Sequence, residues 1–408
     1  MGGVSLNSRL LRNASVILGA LTAGLVGLGG TASAGSGLTP ASHHPIYMPT
    51  VEQRMAIQQG KGRSIQPPPI PACIPSPVPA PPPPVPSCAF PAPPYGEPWV
   101  TNMAYFGGPV QTNPHIYLVY WGWGQPGAFT SCLSAAQLRA LKDPVPCDPD
   151  LAGLRMLQFV QQLGGTKWAG VQDQYYQTIN GYEEHVNNPV NQLGGVWIDN
   201  TNHTHSRLSY NEIALEAERG LVHFKIPAAE WNNSNIVVVQ PQHFQDGSAT
   251  GYCAWHDYGV KEYYPVKHQG FPFTNMPYIG NMGGSCGANI LNSSAAGALD
   301  GYSIVLGHEI EETVTDPGAG DVLGGKNYGG WLDLTGYENG DKCAWVGHNA
   351  TGAGPKMFPN FPGEAAVIAG NQGGQFPVQS LWSNRAAMGA GYCEGAGTDL
   401  PANPVPPL

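Results

Sequence analysis

The chain has 408 residues, of which 55 are glycine and 40 proline, about 23% together; only 11% are charged, and the formal net charge is −10. Ordinary usage of those two residues is roughly 12%, so turns and irregular segments dominate, and a coiled coil or a charged disordered tail is excluded. Eighteen Lys and Arg, spread thinly through an acidic chain, argue against nucleic acid as a partner, because phosphate recognition needs clustered cations.

Arg9 and Arg12 precede an apolar run at 14–30, and Thr31-Ala32-Ser33-Ala34 follows with small residues. This layout predicts a secretory signal over 1–34, cleaved after Ala34. No later stretch reaches the ~18 apolar residues of a membrane span, so no membrane association is expected after cleavage. Export gives meaning to eight cysteines, since an even count in a secreted chain favours disulfides. The absence of C-x-x-C argues against a zinc-thiolate cluster. Sequence does not choose among the connectivities. The simplest expectation pairs neighbours: Cys73–Cys88, Cys132–Cys147, Cys253–Cys286 and Cys343–Cys393.

Residues 35–65 read as polar and featureless. Residues 66–98 hold 16 of the 40 prolines, including Pro81-Pro82-Pro83-Pro84. They predict an extended polyproline II arm, either a linker or a propeptide. The composition changes at about Trp99. Ile116-Tyr117-Leu118-Val119-Tyr120-Trp121 is β-branched and aromatic, as a buried strand is. Leu151, Leu154, Leu157, Val160 and Leu163 recur every three residues and predict a helix over 150–164. A second helix is expected over 209–220 with Gly220 as its stop, and a second buried strand over 235–240. A third helix is expected at about 300–315, capped by Asp300 and ended by Pro317. Helices and strands mix without regular alternation, which points to an α+β domain over 99–398 followed by a Pro-rich tail, 399–408.

The chemistry concentrates in that third helix, DGYSIVLGHEIEETVTDPGAG. His308 and Glu312 are four apart and share a face turned away from Leu306 and Ile310. One reading is an ion pair on a solvated face. The other is the geometry of an H-E-x-x-H metal helix with Glu in place of the second His. Charge is scarce in this chain, yet Glu309, Glu311, Glu312 and Asp316 crowd one helix, and Asp333, Glu338 and Asp341 follow in WLDLTGYENGDKCAW. Three protein ligands and an open position make a catalytic zinc site. His308, Glu312 and Glu338 would be those ligands, Asp341 would accept the His308 N–H, and Glu309 would be the general base. The alternative for the downstream acids is a Ca²⁺ loop built on Asp333, Glu338 and Asp341.

His308-Glu309-x-x-Glu312-Thr313-Val314-Thr315-Asp316 resembles the H-E-x-x-H-x-V-T-D helix of thermolysin-like metallopeptidases. Those proteins take a third ligand from a downstream glutamate, with an aspartate a turn later, the order of Glu338 and Asp341. Over roughly 100–395 the chain is also similar to the phosphate-induced/EXORDIUM-like secreted family, through IYLVYWG, TKWAGVQDQYY, GYCAWH, MPYIGN, TVTDP and VQSLWSN. It keeps the H-E-x-x-E element, as microbial members do. Together these resemblances imply a single zincin-like α+β domain with a mixed sheet, disulfide-bonded and preceded by the Pro-rich arm. They imply a secreted zinc peptidase acting on protein or peptide substrates.

Other sites have weaker claims. Gly283-Gly284-Ser285-Cys286-Gly287 fits G-x-S-x-G, but that motif needs a strand before it and a helix after it. His203 and His205 form H-x-H in a polar loop. His256 is either a structural histidine, a transition-state donor or a metal ligand. Asn202, Asn232, Asn292 and Asn349 lie in glycosylation sequons. The second functional expectation is a non-catalytic extracellular protein, associated with the cell wall, with a structural or Ca²⁺-binding acidic cluster and with Trp255, Trp331, Trp345 or Trp382 exposed for binding.

Overall fold

In a computed structural model, the described residues are 46–58, 102–129, 147–205, 207–244, 251–260, 270–318, 329–334, 336–345, 366–370, 374–389 and 391–394, with a few isolated positions between them. The expected signal, the Pro-rich arm, the Cys73–Cys88 pair and the C-terminal tail lie outside them.

Six strands form one mixed sheet: β1 (Ile46–Pro49), β2 (His115–Trp121), β3 (Leu193–Asp199), β4 (Ser234–Val239), β5 (Tyr252–Val260) and β6 (Gly270–Met276). Their spatial order is β1-β5-β6-β4-β2-β3. Only β5 runs against its neighbours, and the contacts among β6, β4, β2 and β3 are parallel. β2 and β4 were both legible as buried strands, and the reason is their position inside the sheet with both faces covered. Leu118, Tyr120, Val237 and Val239 enter one core, and Val119, Trp121, Ile236 and Val238 enter another.

The first core is shared with α2 (Ala152–Leu163) and α4 (Asp300–Thr315), and the second with α3 (Tyr210–Phe224). Asp148 starts α2 by accepting from Ala152 N at 2.7 Å and Leu154 N at 3.1 Å. On α3, Ser209 and Glu212 make a reciprocal capping box. Gly220 does not stop α3 as expected. It lies inside the helix, where a Cβ would come within 2.8 Å of Ile236, and the helix runs on to a left-handed Lys225. Asp300 does not cap α4 either. Its carboxylate accepts from Leu291 N, Asn292 N and Asn292 Nδ2, so it closes the loop before the helix.

The segment read as featureless contributes structure. β1 pairs antiparallel with β5, Ile46 opposite His256, and α1 (Val51–Gln58) follows it, with Met48, Val51 and Arg54 buried. Three disulfides join the described residues, Cys132–Cys147, Cys253–Cys286 and Cys343–Cys393, each between the neighbours expected. Cys253–Cys286 ties β5 to the loop that leads into α4. None of the described helices is long and apolar enough to cross a membrane.

Candidate metal centre

All sixteen residues of α4 are buried, so the solvated-face reading of His308 and Glu312 is set aside. One side of the helix lies on the sheet. On another, Gly307 lets Trp168 and Phe159 approach closely: a Cβ there would stand 2.8 Å and 3.1 Å from their rings. His308, Glu309, Glu312, Asp316 and Glu338 are each 0% exposed, and His256 on β5 faces them, also at 0%.

Two connections bring the 336–345 loop against α4. Asn339 Nδ2 donates to Glu311 O, Thr315 Oγ1 and Gln172 Oε1. Asp341 N donates to Glu312 Oε1 at 2.6 Å. Between them Gly340 passes so close that a Cβ would lie 2.8 Å from Glu312 Oε1 and 2.9 Å from His308 Nδ1. No larger residue fits that passage without displacing the site.

The hydrogen bonds around His308 settle its tautomer. Gln379 Nε2 donates to Gly340 O at 2.9 Å, which turns Gln379 Oε1 toward His308 Nδ1 at 3.0 Å. Nδ1 is therefore the donor, and Nε2 carries the lone pair. That nitrogen lies 3.0 Å from Glu312 Oε2, yet the two are not aligned as a hydrogen bond, and neither has a hydrogen-bond partner among the described residues. Two ligands at 2.0–2.1 Å around a tetrahedral ion stand roughly 3.3 Å apart. Asp341 Oδ1 is 4.0 Å from the same nitrogen, and His308, Glu312 and Asp341 can together hold a metal ion.

The expected ligand set is thus rearranged. Asp341 does not receive the His308 N–H, which goes to Gln379; it lies on the lone-pair side instead. Glu338 lies nearer His256, with 3.4 Å between its Oε1 and His256 Nε2. Sequence reasoning missed Gln379 altogether: it is 71 residues from His308, just past a short strand, and no spacing rule connects them.

Burial dominates the ionisation of the group. It raises Glu312 and Asp316 to about 7 and Glu311 to about 8. It carries Glu338 well above the usual carboxylate range despite the pull of His256, and raises Asp341 likewise. His308 is lowered by burial, which favours the neutral, ligating ring. Burial alone would also lower His256, but Glu338 and Glu309 outweigh it and hold the ring well above its usual value. Carboxylates this buried cannot all ionise without positive charge among them. The protonated His256 ring and the Arg54 guanidinium supply part of that charge, and the atoms without a hydrogen bond among the described residues, His308 Nε2, Glu309 Oε1, Glu312 Oε2, Asp316 Oδ2 and both Glu338 oxygens, suit a further cation.

The other candidates separate from this centre. Asp333 is 2.8 Å from Lys342 Nζ and accepts from Tyr337 N, so Asp333, Glu338 and Asp341 do not assemble as a Ca²⁺ loop. Ser285 sits in a 3-10 turn, not between a strand and a helix, and its Oγ bonds Glu52. His205 bonds Glu212 at 2.6 Å on the surface. Trp255, Trp331, Trp345 and Trp382 are 8% exposed or less, which removes the exposed aromatics of the binding-protein expectation.

Comparison of the chain with protein-family models, with curated proteins and with solved structures returns no match.

Proposed function

We propose that the protein is a secreted zinc-dependent peptidase, with the ion held by His308, Glu312 and Asp341. The observation that carries the reading is the His308 Nε2 lone pair 3.0 Å from Glu312 Oε2, both buried and without a hydrogen bond. An imidazole nitrogen among the donors favours Zn²⁺ over Ca²⁺, which takes oxygen ligands. When bound, the ion supplies Lewis-acid polarisation of a scissile carbonyl and acidifies water.

The chain's own residues do the rest. Gln379 fixes the His308 ring, and the Asp341 N–H fixes Glu312. Glu309, one residue beyond His308, takes the proton of the attacking water on its unpartnered Oε1 and returns it to the leaving amine. Burial raises Glu309 above the usual carboxylate range, in the direction a general base at neutral pH requires. The likeness of the helix to thermolysin-like peptidases, and of the longer stretch to EXORDIUM-like secreted proteins, supports the zincin-like fold and the peptide substrate. The disulfides accord with an extracellular location.

The test is Glu309→Gln. The fold and the zinc at His308, Glu312 and Asp341 should be kept, while cleavage of a quenched fluorescent casein falls about 10²–10⁴-fold. Full activity in that variant removes Glu309 from the mechanism.

A further inference from the structure

His256 stands on the other side of Glu312 from His308 and, like it, faces carboxylates with one ring nitrogen and a fixed acceptor with the other. Its Nε2 lies 3.2 Å from the Asp316 carbonyl, which can only accept, so Nε2 is a donor; Nδ1 hydrogen-bonds Glu309 Oε2 while the ring is protonated and offers a lone pair once that proton leaves. A histidine that ligates a metal characteristically commits its other N–H in this way. Nδ1 faces Glu309 Oε2 at 3.2 Å and Glu312 Oε2 at 3.8 Å. In the metal-free protein the His256 proton supplies the positive charge among these atoms, and a metal ion can take the place of that proton between Nδ1 and the two carboxylate oxygens. The three side chains are 0% exposed, and each offers a ligand atom within 4.8 Å of the others.

Glu312 Oε2 belongs to both groups. It is 3.0 Å from one imidazole and 3.8 Å from the other, while Glu312 Oε1 is occupied by the Asp341 N–H. The balance of charge agrees. Glu309, Glu312, Asp316, Glu338 and Asp341 are all buried, and a single divalent ion together with the Arg54 guanidinium, which pulls on Asp341, offsets only three of the five. Lys342 is engaged by Asp333.

We propose that the protein binds two divalent cations, the second held by His256, Glu309 and Glu312, with Glu312 Oε2 shared between them. The proposal deepens the reading above and rests on the first ion at His308. A carboxylate oxygen between two cations is suited to a pair about 3.5–4 Å apart, the separation at which two ions clamp both oxygens of a displacement. Glu309 then has separate duties for its two oxygens: Oε2 holds the second cation, and Oε1 stays free for the proton.

The experiment is a metal count on the full chain, stripped with chelator, titrated with zinc chloride and weighed by native mass spectrometry. Wild type should take up two ions, His256→Ala one, and His308→Ala one. His256→Gln keeps a donor for the Asp316 carbonyl and replaces His256→Ala if near-ultraviolet circular dichroism shows that the alanine variant has lost its packing. Loading with manganese chloride should give the electron paramagnetic resonance spectrum of a coupled pair, which collapses to isolated ions in either His256 variant. One ion in the wild type, or two that persist in His256→Gln, overturns the proposal. A single ion lost in His308→Ala, with peptide hydrolysis intact in the wild type, overturns the second site alone. Two ions with no hydrolysis uphold the second site and overturn the peptidase reading, and no ion at all overturns both.

Discussion

Helices α3 and α4 lie on opposite faces of one sheet, and both bury glutamates. On α3, Glu216 is 0% exposed and has Arg219 Nη1 at 2.9 Å, one turn on. The rest of that helix is ordinary: a capping box at its start, an apolar stripe against the sheet, and Leu215 and Val222 partly in solvent. On α4, Glu312 meets the His308 nitrogen whose ring proton goes to Gln379, Glu309 meets His256 Nδ1 at 3.2 Å, and the helix has no solvent face at all. A buried acid needs a counter-charge. α3 carries its own in the next turn. On α4 the charge comes from His256 on the sheet and not from the next turn, and the atoms left without a hydrogen bond belong to groups that could hold a metal ion.

The contrast breaks first at the metal. Chelation should destabilise the protein, because an ion at a thousandfold excess over its Kd contributes about 4 kcal/mol. Thermal unfolding with and without chelator measures this, and identical transitions would mean that the acids of α4 need no ion. In the stripped protein the pH dependence has a definite sign. Glu311 is raised to about 8, and Glu312 and Asp316 to about 7. Acids whose folded pKa lies above the unfolded value bind more protons when folded, so stability should fall as pH rises from about 5 to about 8. Urea midpoints across that range would contradict the assignment if they stayed level or rose.

Gly340→Ala should come next. Its Cβ meets Glu312 and His308 in a packed interior, at a cost of about 1–3 kcal/mol, and zinc content should drop with it. A variant that folds and loads zinc normally would show that the loop yields. Gln379→Ala removes the acceptor that orients His308 and should weaken zinc binding about 10–100-fold, read by competition with a chromophoric chelator. The smallest effect belongs to α3. Ser209→Ala breaks the capping box and should cost about 1 kcal/mol in urea unfolding without changing metal content.

Much of the framework was legible in the chain. Residues 300–315 were expected to be helical from their apolar spacing and Pro317, and α4 occupies that span. The strands at 115–121 and 234–239 announced themselves by unbroken β-branched and aromatic runs, and neighbouring cysteines do pair. The i,i+4 spacing of His308 and Glu312 placed an imidazole and a carboxylate side by side, as they lie in the fold. What surrounds them was not legible. Periodicity marks an apolar stripe, but it does not say that Trp168, Phe159 and the 336–345 loop will cover the polar side. The roles of Asp341 and Glu338 depend on how a Gly-rich turn folds back, which spacing along the chain does not determine. Ile46-Tyr47-Met48-Pro49 contains a proline and no alternation; it becomes a strand only because β5 offers it an edge.

That edge pairing has a consequence for how the molecule is made. β1 waits for a partner roughly 200 residues downstream, so the sheet is complete only after β5 and then β6 have been synthesised and the intervening chain has folded back. Meanwhile the link from α1 to the rest runs through the proline-rich stretch. A single cut between 58 and 102 would leave the covalent body intact from β2 onward and turn β1 and α1 into a bound peptide, held by its ladder to β5, by the buried Met48, Val51 and Arg54, and by hydrogen bonds such as Trp345 Nε1 to Pro49 O and Ser285 Oγ to Glu52. One chain would then have become a complex with a dissociation constant.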